Sequence, residues 1–233
     1  MSVPPSQDEA TEFDLRAPRA GGLAVPGDLL PRAFRQVGAV ERRRALLATR
    51  PPHMAALIDY NDALRRQQPD WKVPDLDPAS GGSEARALFL LEKPGPKADQ
   101  GTGSGFISVH NNDPTAEATY RFALVRNRLP LHWCLFANVI PWWDGFIKIG
   151  PGQRRLAAEA ITHLLTLLPE LRAIVLVGAT AQRAWARSKL ATPEGVRLWR
   201  SDHPSPQVRA GYRSRWDLIP DHWPTRADLE AGP

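Results

Sequence analysis

The chain has 233 residues and a mass of 25.8 kDa, with 42% hydrophobic and 24% charged residues, one cysteine and a net charge of +5. Those figures suit one α/β domain or two small ones, and exclude a chain disordered throughout, an intramolecular disulfide and a four-cysteine metal or cluster site. No apolar run, Ala173–Val177 included, approaches the roughly 18–20 residues of a membrane span.

Residues 1–28 carry Pro4, Pro5, Pro18 and Pro26 with little periodicity and are expected to form a loose arm. Met1–Ala10 holds two acids and no base, unlike a secretory signal. Residues 29–82 are expected to supply helices that pack on the core: one over Arg32–Ala48, and one over His53–Arg66 with Met54, Leu57, Ile58 and Leu64 at helical spacing. Pro74, Pro78 and Gly81-Gly82 then make a turn-rich connector.

From residue 83 the pattern becomes strand, loop, helix. Arg86–Leu91 is a short continuous apolar run, as a strand buried on both faces requires. A glycine-rich loop, Pro94–Gly105, follows it. Asp113-Pro114 predicts a helix start, with Asp113 as N-cap and Pro114 in the first turn, running to about Arg128. Further strands are predicted over Trp133–Ile140, Ala173–Val177 and Val196–Trp199, and helices over Gln153–Leu168, Ala179–Leu190 and Ser205–Trp216. This alternation predicts a three-layer α/β/α domain over 83–220 around a central, mainly parallel four-stranded sheet, with 221–233 as a C-terminal tail.

In such sheets ligands bind at the carboxyl ends of the strands. Three polar side chains stand there: Glu92, Asn138 and His203. Singly, they are an ion-pair partner, a loop tie and a turn residue. Together they put a carboxylate, an amide and an imidazole on one rim, a candidate site. The segment Arg172–Trp216 holds nine bases against two acids, a local charge of +7, which suits either a nucleic-acid surface or a solvated arginine-rich face.

The flanking residues resemble a known family. Leu88-Phe89-Leu90-Leu91-Glu92-Lys93-Pro94-Gly95 is similar to the strand-to-loop motif of the uracil-DNA glycosylase superfamily, which reads Gly-Gln-Asp-Pro-Tyr in one branch and Gly-Glu-Ala-Pro-Gly in another. Phe106 resembles the aromatic that follows this motif. Asn138-Val139-Ile140-Pro141, Val177-Gly178-Ala179-Thr180 and Asp202-His203-Pro204-Ser205-Pro206 resemble the later motifs, in the same order.

The resemblance implies a monofunctional DNA repair glycosylase that releases uracil from DNA with a water nucleophile and leaves an abasic site. It implies no metal, no organic cofactor, no membrane partner, a monomer, and a place in the cytoplasm with the chromosome. Phe106 would hold the flipped base, with Gly95 beside it; Asn138 would read uracil, and His203 would donate to its O2 as charge develops. Glu92 would orient the water; Asp113, His110 and Asn111 stand as alternatives.

Lys93 replaces the aspartate of one branch and reads as a DNA contact or, alternatively, a Schiff-base nucleophile. Lys97, Ser205, Gln207 and Arg209 would grip DNA, with Gln207 where a wedge residue belongs, and Trp142-Trp143 would either stack on bases or fill the core. The competing reading is a damaged-DNA-binding protein with little turnover. A third, an α/β hydrolase, lacks a Gly-x-Ser-x-Gly elbow.

Overall fold

The structure, a computed structural model, describes residues 26–96 and 101–231; most of the expected arm, and Lys97, lie outside them. Among the described residues six strands form: β1 (Asp75–Leu76), β2 (Ala87–Leu91), β3 (Phe106–Ile107), β4 (Cys134–Asn138), β5 (Ala173–Val177) and β6 (Arg197–Ser201). Four of them make an all-parallel sheet in the order β4-β2-β5-β6. The two inner strands, β2 and β5, and the edge strand β4 are almost wholly apolar and buried, whereas β6, at the other edge, carries Arg197 and Arg200, charges that discourage pairing with another chain.

Helices cover both faces, so the protein is an α/β domain in three layers. On one face α2 (Pro52–Gln67), α4 (Pro151–Thr166) and α5 (Ala179–Arg187) bury Leu57, Ile161, Leu164 and Trp185 against Leu88, Leu90, Leu135 and Ile174. On the other, α3 (Pro114–Tyr120), the segment Arg121–Arg126 that follows it and the residues after β6 bury Tyr120, Leu124, Trp216 and Trp223 against Phe89, Phe136 and Val175. Residues 221–231, expected as a tail, are part of this layer: Trp223 is 1% exposed and donates to Ser201 Oγ at 2.7 Å, and Leu229 is buried beside it.

Two predicted helices end earlier than expected. α3 gives way to a wider π-turn segment, Arg121–Arg126. The helix predicted over Ser205–Trp216 breaks at Tyr212, which takes φ −144°, ψ 60°, so that α6 (Pro206–Gly211) and α7 (Arg213–Asp217) replace it. A small parallel sheet, β1 with β3, has no counterpart in the sequence reading, because two-residue strands leave no periodicity to detect.

That small sheet is fastened to α1 (Val37–Ala48) by a buried network. Arg43 on α1 pairs with Asp77, just after β1, and Asp77 also accepts from Ser108 Oγ and from Ala79 N. Burial works against the Asp77 charge, but Arg43, His110 and these hydrogen bonds outweigh it and hold the carboxyl below its ordinary range. The N-terminal helices are thereby built into the domain that carries the candidate site.

Candidate functional site

The register puts the carboxyl ends of the strands level. Asn138 pairs with Leu91, and Val177 with Ser201, while Leu90 pairs with Leu176 one residue earlier. Glu92, Gly178 and Asp202 are therefore the next residues along the same rim. The chain runs from β2 outward to β4, then crosses back to β5, so the order reverses between β2 and β5. Glu92 and Gly178 follow those two strands, at the topological switch point where α/β sheets bind ligands.

Asn138 is the last residue of β4 and only 9% exposed. By the two-residue alternation of a strand it shares the face of Phe136, the α3 side of the sheet. Its Oδ1 is buried and, among the described residues, has no hydrogen-bond partner. A buried carbonyl oxygen without a donor costs about 1–3 kcal/mol, a penalty a protein usually avoids unless a ligand satisfies the group.

His203 lies two residues beyond β6, and its side chain packs on the turn from β5 to α5. Gly178, at φ +87°, has no room for a side chain there: a Cβ would sit 2.8 Å from His203 Cβ and 3.2 Å from Cδ2. Burial lowers the proton affinity of His203, while Glu92 and Asp113 act in the opposite sense; burial wins and the imidazole is neutral near pH 7. Among the described residues neither ring nitrogen has a hydrogen-bond partner. One histidine thus reports the closeness of Glu92, Asp113 and Gly178, which come from three separate elements.

The two carboxylates differ in commitment. Asp113 is the N-cap of α3, and its Oδ1 accepts from Ala116 N at 2.9 Å. Glu92 is half-buried, and among the described residues its carboxylate makes no hydrogen bond. The other two water-positioning candidates are occupied elsewhere. His110 is fully buried, with Nδ1 on the Leu30 carbonyl at 3.1 Å. Asn111 accepts from Ser104 Oγ and donates to the Phe106 carbonyl, so its amide shapes the loop it sits in.

Lys93 is neither an open DNA contact nor an exposed nucleophile. Its side chain is 4% exposed, and Nζ donates to Asp144 Oδ1 at 2.5 Å and to the Phe146 carbonyl at 2.7 Å. Lys93 therefore ties the loop after β2 to the loop after β4. Asp144 in turn stays ionised: burial opposes its charge, but the Lys93 hydrogen bond and the Phe146 N–H outweigh that and lower its pKa. Gly95, two residues on, is exposed, and a side chain there would project into open space.

Phe106 is 1% exposed on β3, in a cluster with Phe34, Ala39 and Val40, its ring 5.9 Å from that of Phe34. Trp142 is likewise core, stacked on Trp71 at 4.5 Å, and not a surface platform. Ser205 caps α6, accepting from Val208 N, while Gln207 and Arg209 are exposed on its first turns. The arginine-rich stretch is partly self-neutralised: Arg215 pairs with Asp202, Arg197 with Asp228, and Arg213 with Asp217. A cavity of about 470 Å³ near Arg172 and Arg197 lies at the amino ends of β5 and β6, away from this rim.

Two contributors escaped the sequence reading. Gly178 was visible as a motif residue, but its role as a seat for His203 depends on contact with a residue from another strand end. Asp144 follows Trp142-Trp143, which drew attention only as aromatic residues, and nothing in the spacing links it to Lys93. Compared with models of known protein families and with curated proteins, the chain matches none.

Proposed function

We propose that the protein is a DNA glycosylase that hydrolyses the N-glycosidic bond of deoxyuridine, releasing uracil and leaving an abasic site. The observation that carries this reading is the Oδ1 of Asn138, buried and unpaired among the described residues, level with Leu91, the residue before Glu92, and on the rim shared with a neutral His203. Uracil presents one donor, N3–H, and one acceptor, O4, side by side. A carboxamide offers the complementary pair, whereas cytosine reverses the pattern and would leave buried groups unmatched.

Bond cleavage leaves negative charge on uracil, largely at O2. A neutral imidazole that donates there stabilises the leaving group, and a preorganised donor of this kind contributes about 2.7–4 kcal/mol. Glu92, uncommitted among the described residues, orients the attacking water and offsets the positive charge on the sugar. Asp113 adds to the field but is engaged in capping α3. Phe106 carries no part of this reading, because its ring is packed against Phe34.

Ser205, Gln207 and Arg209, on the loop and helix after His203, supply contacts to the DNA backbone around the ejected base. The proposed chemistry uses a water nucleophile and a hydrogen-bonded leaving group and calls on neither a metal nor an organic cofactor. No helix among the described residues is long and apolar enough to cross a membrane, and the proposed site of action is the chromosome in the cytoplasm.

The test is incubation with a uracil-containing oligonucleotide, followed by alkali. Strand breaks that appear only after alkali, together with free uracil, are the expected result. A retarded but intact strand would instead support a damage-binding protein without turnover.

A further inference from the structure

The loop after β4 presents two adjacent large apolar side chains to solvent: Phe146 is 69% exposed and Ile147 is 83% exposed. Exposed apolar residues are ordinary when scattered singly, but a consecutive pair at a loop tip is a different matter. This tip is also held firmly. The Phe146 N–H donates to Asp144 Oδ1 at 3.1 Å, and the Phe146 carbonyl accepts from Lys93 Nζ. Gly145, at φ +91°, makes the turn, and the Ile149 carbonyl accepts from Arg154 at 2.7 Å. Lys93 and Asp144, both nearly buried, neutralise one another beneath it.

We propose that Phe146 and Ile147 form an apolar wedge that enters the base stack of duplex DNA beside the ejected nucleotide. This rests on the glycosylase reading of the neighbouring rim. Three features select a nucleic acid as the occupant. From Gly145 to Ala158 the sequence holds three bases, Lys148, Arg154 and Arg155, and no acid, which suits a polyanion. The clamp runs from Asp144 to Lys93, the residue next to Glu92, so the tip is braced against the candidate site itself.

The third feature is the opposite flank. β4 and β6 are the two edges of the sheet, three strand spacings or about 14 Å apart. Beyond β6, α6 presents Gln207 and the half-buried Val208, and the large exposed ring past it, Tyr212, is engaged by Arg215, whose guanidinium lies over it at 5.2 Å. The bulk that must replace an ejected base is therefore found at the β4 edge. Phe and Ile are residues that proteins insert between base steps, where they unstack and kink the duplex.

The experiment uses a duplex with 2-aminopurine next to a uracil or an abasic site, the full chain, and the variants Phe146→Ser/Ile147→Ser and Val37→Ser. Val37 is also exposed, on α1. Wild type and Val37→Ser should raise 2-aminopurine fluorescence; the double variant should abolish the rise and weaken duplex binding about tenfold. Equal fluorescence and equal affinity in wild type and the double variant would overturn the wedge. So would loss of binding to anionic lipid vesicles in that variant with DNA binding intact. Uracil release is scored separately on single-stranded substrate. If wild type releases none, the glycosylase reading fails while the fluorescence still decides the wedge.

Discussion

A Cβ on Gly178 would lie 2.8 Å from the Cβ of His203, closer than packed side chains come. Gly178 also takes φ +87°, ψ 160°, a backbone region essentially reserved for glycine. The glycine at the end of β5 is thus the floor on which the imidazole rests, and its N–H is bonded to the Ser201 carbonyl at 2.9 Å.

Gly178→Ala should therefore act twice. The backbone strain costs about 1–3 kcal/mol, which denaturant unfolding will read. The methyl group also pushes His203 off its seat, so uracil release should fall by more than the loss of folded protein explains. A variant that loses stability but keeps the wild-type rate per folded molecule would show that the contact does not position the imidazole.

If the proposed chemistry holds, His203 should govern the acid side of the pH profile of uracil release. Burial lowers its proton affinity, so the active, neutral ring persists to lower pH than a free histidine allows. Glu92 and Asp113 favour the charged ring, so Glu92→Gln or Asp113→Asn should shift the His203 titration, followed by NMR, further down. An upward shift would refute the proximity. His203→Ala should slow release about 10²–10³-fold.

Stability should follow the same sign. His203 and His110 are both lowered by burial. Above a pH of about 6.5 neither the folded nor the unfolded chain protonates them. Below it only the unfolded chain takes up the protons, so folding free energy should drop, by at most about 1.4 kcal/mol per pH unit for each ring. Asp77, held below its ordinary range, adds a further loss only in stronger acid. Urea midpoints measured from pH 7.5 to 4.5 check this; a flat profile would contradict it.

The sheet was legible because its inner strands are buried on both faces and so are written as unbroken apolar runs; β5 was bounded to the residue. Asn138, Glu92 and His203 were legible because a parallel sheet sends every carboxyl end to one rim. What could not be read was how residues beyond the strands meet. Lys93 and Asp144 are 51 positions apart, and only the folded chain shows that each neutralises the other. Phe106 was assigned to the flipped base by its resemblance to a motif aromatic, and nothing in its own segment reveals that Phe34 and α1 pack against it. The break at Tyr212 follows Gly211, a residue that ends helices, so its signal was present in the sequence although the apolar spacing runs on to Trp216, which is buried in the core.

Asn138→Asp tests the reader directly. A carboxylate accepts but cannot donate, so O4 of uracil loses its partner while a buried charge is introduced next to Leu91. Release of uracil should fall by about 10²-fold or more, the cost of an unpaired polar contact in a buried site. Unchanged release by the Asp variant would remove Asn138 from the recognition step.

Lys93 and Asp144 make the last test, since they separate a structural tie from a nucleophile. Both side chains are almost fully buried, at 4% and 5% exposure. Asp144→Asn or Lys93→Met alone leaves one charge buried without its partner and should cost about 1.5–3 kcal/mol in unfolding free energy. The double variant should recover part of that loss, because no lone charge remains, and the coupling energy of the cycle measures the tie. Borohydride reduction during turnover should trap no protein–DNA adduct, because an Nζ held by Asp144 and the Phe146 carbonyl is kept away from the sugar. A trapped adduct that disappears in Lys93→Met would instead make Lys93 a Schiff-base nucleophile, and the ion pair a resting arrangement that substrate displaces.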